Sequence, residues 1–286
     1  MEKFSYSSRE NSEIQTPIWS DFNQGSEFSV KLINTKIENN HTYWENMREV
    51  FAHDFNTLPL NRFKVWMSVM SVPLMSNHKH YEYIELACRA MHENDIYKNA
   101  LEETFVGMTA QDFDTYYRVF SNRNITMNKI QCLGHLLYAN FNADSISKMN
   151  KIVEIGAGIG DMADIIFKLG FKGEYIIYDL PELCAIQKYH HDELGYAGKI
   201  KYVSDPSELD GKNTDLTIAT WSLTEMPIEL RDSVRKSIDS KHWIIAYSNT
   251  IFGFDNDGWM KENFKDGRYV DIPFMQWDGG TSYYFK

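Results

Sequence analysis

A glycine-rich stretch between two apolar runs has the residue types expected of a nucleotide-binding turn. Gly156, Gly158 and Gly160 follow the apolar run 151–155, and a helical pattern over 161–169 begins directly after them. Glycines let the backbone approach a ligand closely and adopt turn conformations that other residues resist. The following helix would direct unpaired N–H groups and its positive dipole end towards the turn. The spacing therefore predicts a strand, a glycine turn and a helix that bind a small ligand.

A carboxylate at the end of the next apolar run supplies the second part of such a site. Asp179 follows the run 175–178 and lies about twenty residues beyond the glycine turn, the usual spacing for a residue that binds ribose hydroxyls. Ala157 in the turn and Leu180 after the carboxylate are expected to line the same pocket. The alternative is a glycine turn that merely joins a strand to a helix. The complete context favours a ligand that contains adenosine.

The order of the glycines distinguishes two kinds of nucleotide. The dinucleotide fingerprint G-x-G-x-x-G/A, counted from Gly156, requires a small residue where this chain has Asp161. The chain instead has Glu154 two residues before Gly156, with glycines at alternate positions, and this pattern resembles motif I of class I S-adenosylmethionine-dependent methyltransferases. An acid at 161 disfavours a pyrophosphate, whereas S-adenosylmethionine has no phosphate and carries a sulfonium cation. The resemblance implies S-adenosylmethionine as the cofactor rather than NAD, with Glu154 ordering the turn or binding the methionine amine.

The elements that would position these residues alternate along the second half of the chain. Apolar strand patterns lie at 151–155, 175–178, 200–203, 216–220 and 243–247, and helical patterns lie at 161–169, 181–194 and 229–238. Such alternation predicts a parallel sheet with helices on both faces. The tail, which includes Trp259 and 282–285, is expected to add the closing antiparallel strands. We therefore predict an α/β fold with a Rossmann-like methyltransferase sheet over residues 146–286.

The first half of the chain has a different pattern. Residues 1–40 are rich in Ser, Asn and Glu and are expected to form a polar arm. Residues 41–145 are expected to form a helical cap. Its helical patterns lie at 42–55, 61–72, 80–92, 95–105, 111–120 and 126–138. We expect this cap to close over the acceptor, to contribute a subunit interface in a homo-oligomer, or both.

Several polar and aromatic residues follow the predicted strands, where ligands of such sheets bind. Asp205 is expected near the adenine amino group, with a role as a turn residue as the alternative. Thr220 and Trp221 are expected to contact the cofactor. Trp221 is also expected to line the acceptor pocket together with Tyr247 and Asn249, although a role as plain core is an equal alternative for Trp221.

Two residues are candidates for proton transfer. Glu225 lies just past the fourth strand, where it would remove the proton from an acceptor hydroxyl or clamp the acceptor. Its alternative role is that of a carboxylate favouring the start of the next helix. His191 is the second catalytic candidate, with a surface or packing role as the alternative. Because no ligand spacing identifies a metal site, we predict none.

Two further motifs narrow the resemblance. The segments Y-D-L-P-E-L at 178–183 and W-S-L-T-E-M-P at 221–227 resemble the bacterial sugar O-methyltransferase family, and Y-W-E-N-M-R at 43–48 fits it too. The resemblance covers the chain from about residue 42 onwards. It implies methylation of a hydroxyl on a nucleotide sugar or on a unit of a surface polysaccharide. The alternatives are O- or N-methylation of another small molecule and a non-catalytic nucleotide-binding scaffold.

The composition argues against several other functions. A net charge of −11 and a pI near 5.3 disfavour a nucleic-acid-binding surface, which needs clustered Lys and Arg. Three widely spaced cysteines with no C-x-x-C pair predict reduced thiols in a cytoplasmic protein and no zinc site. No apolar run approaches the roughly 20 residues that span a bilayer, and residues 1–13 lack an apolar signal core.

Overall fold

The computed structural model describes residues 48, 81–102, 125–251, 253–272 and 280–286. All of them belong to one compact unit, Ile37–Lys286. The predicted polar arm 1–40 and the predicted helices at 61–72 and 111–120 lie outside the described residues, as does the helix at 42–55 apart from residue 48. The predicted domain boundaries at 40 and 145 stay predictions.

A seven-stranded sheet forms the centre of the described chain. Its strands are β1 Lys151–Ile155, β2 Glu174–Tyr178, β3 Ile200–Val203, β4 Gly211–Thr220, β5 Ile238–Ser248, β8 Arg268–Asp271 and β9 Thr281–Phe285, and a separate hairpin joins β6 Thr250–Ile251 to β7 Phe254–Asp255. The order across the sheet is β3-β2-β1-β4-β5-β9-β8. The first five strands are parallel, and β9 runs antiparallel to both β5 and β8. The predicted α/β Rossmann-like fold class is confirmed.

Eight α-helices accompany these strands in the described ranges. They are α1 Tyr81–Glu93, α2 Asp95–Leu101, α3 Met127–Tyr138, α4 Ala143–Ser147, α5 Asp161–Lys168, α6 Pro181–Glu193, α7 Ile228–Lys236 and α8 Asn256–Asn263. The expectation that Trp259 lies among the closing strands is wrong, because it lies in α8. The Asp255 side chain accepts a hydrogen bond from the Gly258 N–H at 2.8 Å and so caps the start of that helix.

The two faces of the sheet are covered by different helices. Successive residues of a strand point to opposite faces, and β5 shows this clearly. Ile244 and Ala246 belong to the core shared with α1, α3 and α5, whereas Ile245 and Tyr247 belong to the core on the face of α7 and α8. The described helices α1–α3 therefore share a hydrophobic core with the sheet. No helix within the described ranges is both long and apolar enough to cross a membrane.

A buried ion pair joins α3 to α5. Lys129 and Asp164 are both fully buried, and the Lys129 ammonium donates to the Asp164 carboxylate. The same carboxylate accepts from Lys168 Nζ at 2.9 Å and from the Tyr196 hydroxyl at 2.8 Å. Burial alone would raise the pKa of Asp164, but the two ammonium groups lower it below its usual range.

Candidate active site

The glycine turn after β1 uses backbone conformations that favour glycine. Gly156, Gly158 and Gly160 have φ angles of 68°, 57° and 90°. A Cβ added at Gly156 would lie 2.3 Å from the Ser222 Cβ, and one at Gly160 would lie 2.5 Å from the His191 Nε2. A Cβ at Gly158 would meet nothing within 4 Å. The loop is therefore packed tightly at its two ends and open at its middle glycine.

The Asp179 carboxylate helps to hold this loop in place. It is only 8% exposed, and its Oδ1 accepts from the Leu180 N–H at 2.8 Å. Its Oδ2 accepts from Gln187 Nε2 at 2.6 Å. Burial raises the pKa of Asp179 to about 6, and hydrogen bonds from Gln187, Leu180, Ala157 and Gly158 oppose that rise. Asp179 thus contacts the loop from its position directly after β2. Its predicted contact with ribose stays a prediction.

Glu154 lies in β1, just before the loop. It is 3% exposed and accepts a hydrogen bond from the Tyr175 hydroxyl at 2.7 Å. Burial raises the pKa of Glu154 to about 8; the Tyr175 hydrogen bond lowers it, while the charges of Asp179 and Asp161 raise it. Asp161, at the start of α5, is also buried, and its carboxylate accepts from Asn128 Nδ2 on α3 at 2.6 Å. The loop is therefore surrounded by acidic groups.

Helix α6 contacts the other side of the loop. Gln187, His190 and His191 are fully buried and hydrogen-bond to the carbonyl oxygens of residues 158–160. The His191 ring also meets the Tyr202 hydroxyl at 2.8 Å. Both ring nitrogens of His191 therefore have partners inside the protein, and this placement does not support its predicted catalytic role. The histidine supports the loop instead, which is the packing role that was its alternative.

The segment after β4 begins with a strained tryptophan. Trp221 has a φ of 60°, which is rare for a bulky residue and is typical of sites where the surroundings impose the conformation. Its N–H donates to the Ala246 carbonyl at 2.8 Å. Its indole Nε1 is buried and has no hydrogen-bond partner among the described residues. The next residue, Ser222, donates its hydroxyl to the Ile155 carbonyl and so joins this segment to the glycine loop.

Glu225 ends a short 3₁₀ turn, Leu223–Glu225, in the same segment. Its side chain is only partly exposed, and burial raises the pKa of Glu225 to about 8. Within the described part of the chain, no group donates a hydrogen bond to this carboxylate. A carboxyl group with a pKa near neutrality and no internal partner suits proton transfer with a ligand.

Arg231 on α7 holds the Glu225 turn from behind. Its fully buried guanidinium donates to the carbonyl oxygens of Thr224 and Met226, which flank Glu225 in the chain. It also donates to Asn256 Oδ1 at 3.0 Å, and burial lowers the pKa of Arg231 to about 10. No spacing motif in the sequence reveals Arg231, because its acceptors include backbone carbonyls.

Three other predicted pocket residues, Asp205, Thr220 and Asn249, follow or end strands. Asp205 is exposed and accepts from the Ser207 N–H at 2.8 Å, so it caps a turn, as its alternative role required. Thr220 ends β4 and is partly exposed. The Asn249 N–H donates to the Gly280 carbonyl at 2.9 Å. The predicted contacts of Asp205, Thr220 and Asn249 with ligands stay predictions.

Tyr247 requires a correction. It is fully buried among the residues packed under α7 and α8, and its hydroxyl donates to Asp257 Oδ1 at 3.1 Å. Trp221, by contrast, packs against the core on the opposite face of the sheet. The alternation of side chains along β5 therefore places Tyr247 in the core, which does not support the predicted role in acceptor binding.

One ion pair joins two of the motifs on which the family resemblance rests. Arg48, in the segment 43–48, donates from Nη2 at 3.0 Å and from Nε at 3.2 Å to the Glu182 carboxylate. Glu182 lies in the first turn of α6, three residues after Asp179. This two-point contact brings Arg48 to the start of α6. Among the described residues, no group of three or more His, Cys, Asp and Glu has the arrangement of a metal site.

Comparison with known proteins gives matches among solved structures. A scan of protein-family models gives no match, and a search of curated proteins gives none either. Among solved structures, the magnesium protoporphyrin IX methyltransferase of Synechocystis PCC 6803 with bound S-adenosylmethionine has 12% identity and a TM-score of 0.42, over 62% of this chain and 90% of that chain. The methyltransferase domain of bacterial CtHen1-C has 11% identity and a TM-score of 0.43, over 54% of this chain and 96% of that chain.

An O-methyltransferase family protein from Burkholderia thailandensis is similar at 9% identity and a TM-score of 0.41, over 56% of this chain and 57% of that chain. These three solved structures are methyltransferases or methyltransferase domains by name.

Proposed function

We propose that the protein is an S-adenosylmethionine-dependent methyltransferase that acts on a hydroxyl group of a sugar. The observation that carries the proposal is the loop between β1 and α5. Its left-handed glycines bring the backbone close to Ser222 and His191 at the ends, while Gly158 faces open space. That open backbone lies beside Asp179 at the end of β2, where such sheets bind ligands.

The residues around the loop fit a cationic donor that contains adenosine. Asp179 would accept hydrogen bonds from the ribose hydroxyls, a role supported by its position directly after β2, where such sheets bind ligands. Asp179, with a pKa of about 6, is ionised at neutral pH, and its negative charge favours a positive ligand over a pyrophosphate. Glu154, with a pKa of about 8, is mostly neutral there. S-adenosylmethionine supplies a methyl group already activated on a sulfonium cation, so the chain mainly has to orient the acceptor and manage its proton.

Glu225 would accept the proton of the acceptor hydroxyl. As the acceptor oxygen forms its bond to the methyl carbon, the carboxylate of Glu225 takes the hydroxyl proton and becomes neutral. The bound donor would supply the methyl group, and the electron pair of the broken carbon–sulfur bond would stay on the sulfur, which would become uncharged. The Trp221 indole, with a buried N–H that lacks a partner among the described residues, would offer the acceptor a hydrogen bond or a stacking face.

Two classes of acceptor are candidates for the methyl group. The sugar is supported by the resemblance of the segments 178–183 and 221–227 to the sugar O-methyltransferase family. Another small molecule that offers oxygen or nitrogen is the second candidate, because Glu225 and Trp221 would serve it equally well. Incubation with labelled donor and separate pools of nucleotide sugars and non-sugar hydroxyl compounds would distinguish the two. Label transfer to the non-sugar pool alone would contradict a sugar acceptor.

We expect Asp179→Ala to abolish binding of the methyl donor. Calorimetric titration of the wild-type protein should detect S-adenosylmethionine and its demethylated product but not NAD, and both interactions should be lost in the variant. In a thermal shift assay, ligand at a hundred times its dissociation constant should stabilise the wild-type fold by about 2.7 kcal/mol. Asp239→Ala, which removes an exposed carboxylate from β5, is the matched control and should bind normally. Binding of NAD alone would contradict the proposal, and the absence of any binding would favour a scaffold.

We also expect donor affinity to fall as the pH falls through about 6. The pKa of Asp179 is raised to about 6 by burial, so below that pH the carboxyl is neutral and loses acceptor capacity. If ionised Asp179 is required, affinity should fall about tenfold for each further pH unit. The unliganded fold should respond in the opposite sense. A raised pKa stabilises the folded state at low pH, and that contribution is lost as the pH rises from about 3.8 through 6. Titrations at pH 5, 6 and 7 would test this prediction.

A further inference from the structure

Three successive carbonyl oxygens of the glycine loop are bound by three side chains of one helix. The carbonyls of residues 158–160 accept, in order, from Gln187 Nε2 at 2.9 Å, His190 Nδ1 at 2.8 Å and His191 Nε2 at 2.9 Å. Because a carbonyl oxygen only accepts hydrogen bonds, each of these ring nitrogens carries the proton. All three side chains are fully buried. We name Gln187, His190 and His191 the carbonyl clamp.

The carbonyl clamp fixes the direction of the loop N–H groups. A peptide group is planar and trans, so its N–H points away from its C=O. The carbonyls of Gly158 and Gly160 point at α6, and the N–H groups of Ile159 and Asp161 in the same peptide planes therefore point away from α6. These N–H groups lie at the middle of the loop and at the start of α5. Backbone N–H groups presented by a loop and a helix start favour a carboxylate or another anion.

Two further contacts make the clamp specific to this loop. Gln187 Nε2 also donates to Asp179 Oδ2 at 2.6 Å, which links the clamp to the predicted ribose carboxylate. The Tyr202 hydroxyl meets His191 Nδ1 at 2.8 Å, and since Nε2 carries the proton, Tyr202 donates there and fixes the tautomer. A Cβ at Gly160 would lie 2.5 Å from His191 Nε2, so this contact requires glycine.

We propose that the carbonyl clamp positions the loop for the amino-acid part of the methyl donor. The inference rests on the proposed function and deepens it. Gln187, His190 and His191 are positioning residues that act through the loop. They direct its N–H groups at the α-carboxylate of the donor, while Asp179 serves the nucleoside part. His190 and His191 therefore control affinity for ligands that carry the amino acid and not for the nucleoside alone, whereas Gln187 also contacts Asp179.

Three ligands separate this role from general support of the fold. S-adenosylmethionine and S-adenosylhomocysteine carry the amino acid, whereas methylthioadenosine keeps the nucleoside and sulfur but lacks it. In His191→Leu, we expect affinity for the first two ligands to fall about 10-fold to 100-fold, as for a buried acceptor left without its donor. Affinity for methylthioadenosine should stay unchanged. Calorimetric titration of the full chain measures all three.

Donor geometry supplies matched variants that keep a polar side chain. A glutamine amide reaches about as far as a histidine Nε2, and an asparagine amide about as far as Nδ1. We therefore expect His191→Gln and His190→Asn to retain affinity, and His191→Asn to lose it. Lys188→Met, on the exposed side of α6, should have no effect. These polar variants keep the test informative even where the leucine variant does not fold.

The outcomes distinguish the clamp from the proposed function. The clamp is supported if His191→Leu loses affinity only for the two ligands that carry the amino acid, and if His191→Gln retains that affinity. The clamp is overturned, while the proposed function stands, if affinity for all three ligands falls equally. The same holds if neither His191→Leu nor His191→Asn loses affinity for any ligand. A wild-type protein that binds none of the three overturns both.

Discussion

Glu225→Gln is expected to reduce methyl transfer by about 10²-fold to 10⁴-fold, the range typical of a lost general base. The amide has nearly the shape of the carboxylate but cannot accept the acceptor proton. Donor affinity should not change, because the groups that we propose to bind the cofactor lie on the loop and directly after β2. Single-turnover measurements with saturating donor, once an acceptor is identified, would separate this loss of rate from a loss of binding.

The rate of methyl transfer should depend on pH through the ionisation of Glu225. Burial raises the pKa of Glu225 to about 8, so the protonated, inactive form dominates at neutral pH. The rate for wild-type protein should rise about tenfold per pH unit up to about 8 and then level off. The Glu225→Gln variant should lose this dependence.

Glu229→Gln is the control for this prediction, since Glu229 is an exposed acid in the first turn of α7, on the same segment. It should leave the rate unchanged. Near-normal turnover by Glu225→Gln with intact donor binding would remove Glu225 as the base. Arg231, which donates to the carbonyls on either side of Glu225, would then hold a turn that serves another role.

Asp164→Ala is expected to lower the free energy of unfolding by about 3–5 kcal/mol, because it leaves the fully buried Lys129 ammonium without its carboxylate. The loss should be largest near neutral pH. The pKa of Asp164 is lowered in the fold, so its stabilising contribution is present above the unfolded pKa and fades as the pH falls. Urea denaturation followed by circular dichroism would measure the change.

Two controls test whether the buried charge causes this loss. Asp144→Ala breaks an exposed pair with Lys148 in which both side chains are about 70% exposed, and it should cost less than about 1 kcal/mol. Replacing both charges, as in Lys129→Met with Asp164→Leu, should recover most of the stability. A double variant no more stable than Asp164→Ala would show that packing, and not the isolated ammonium, dominates.

The parallel part of the sheet could be predicted from the sequence because its signals are local. The runs 151–155 and 200–203 coincide with β1 and β3, and the glycine turn lies where its spacing required. The patterns at 216–220 and 243–247 identify β4 and β5 but miss their starts at Gly211 and Ile238, where polar residues such as Lys212 and Asp239 alternate with others. Because polar residues interrupt the starts of β4 and β5, the sequence there contains no apolar run that would indicate a strand.

The supporting residues of the site could not be predicted in the same way. Gln187 and Arg231 donate to backbone carbonyls, and since every residue has a carbonyl, the acceptor leaves no trace in the sequence. For His191 the sequence does not separate catalysis from packing, because histidine serves both. Only the positions of Gly160 and Tyr202 around its ring distinguish the two roles.

The place of β9 in the sheet has a consequence for synthesis. This strand is the last of the described strands in the chain, yet it lies inside the sheet, between β5 and β8. Until a ribosome has released residues 281–285, β5 presents an open edge and β8 has no neighbour. Open edges are templates for pairing with other chains, so a nascent chain that stalls after β8 would be prone to aggregate. The edge of the parallel strands β1–β5 is therefore covered only after β9, the last of the described strands, has been synthesised.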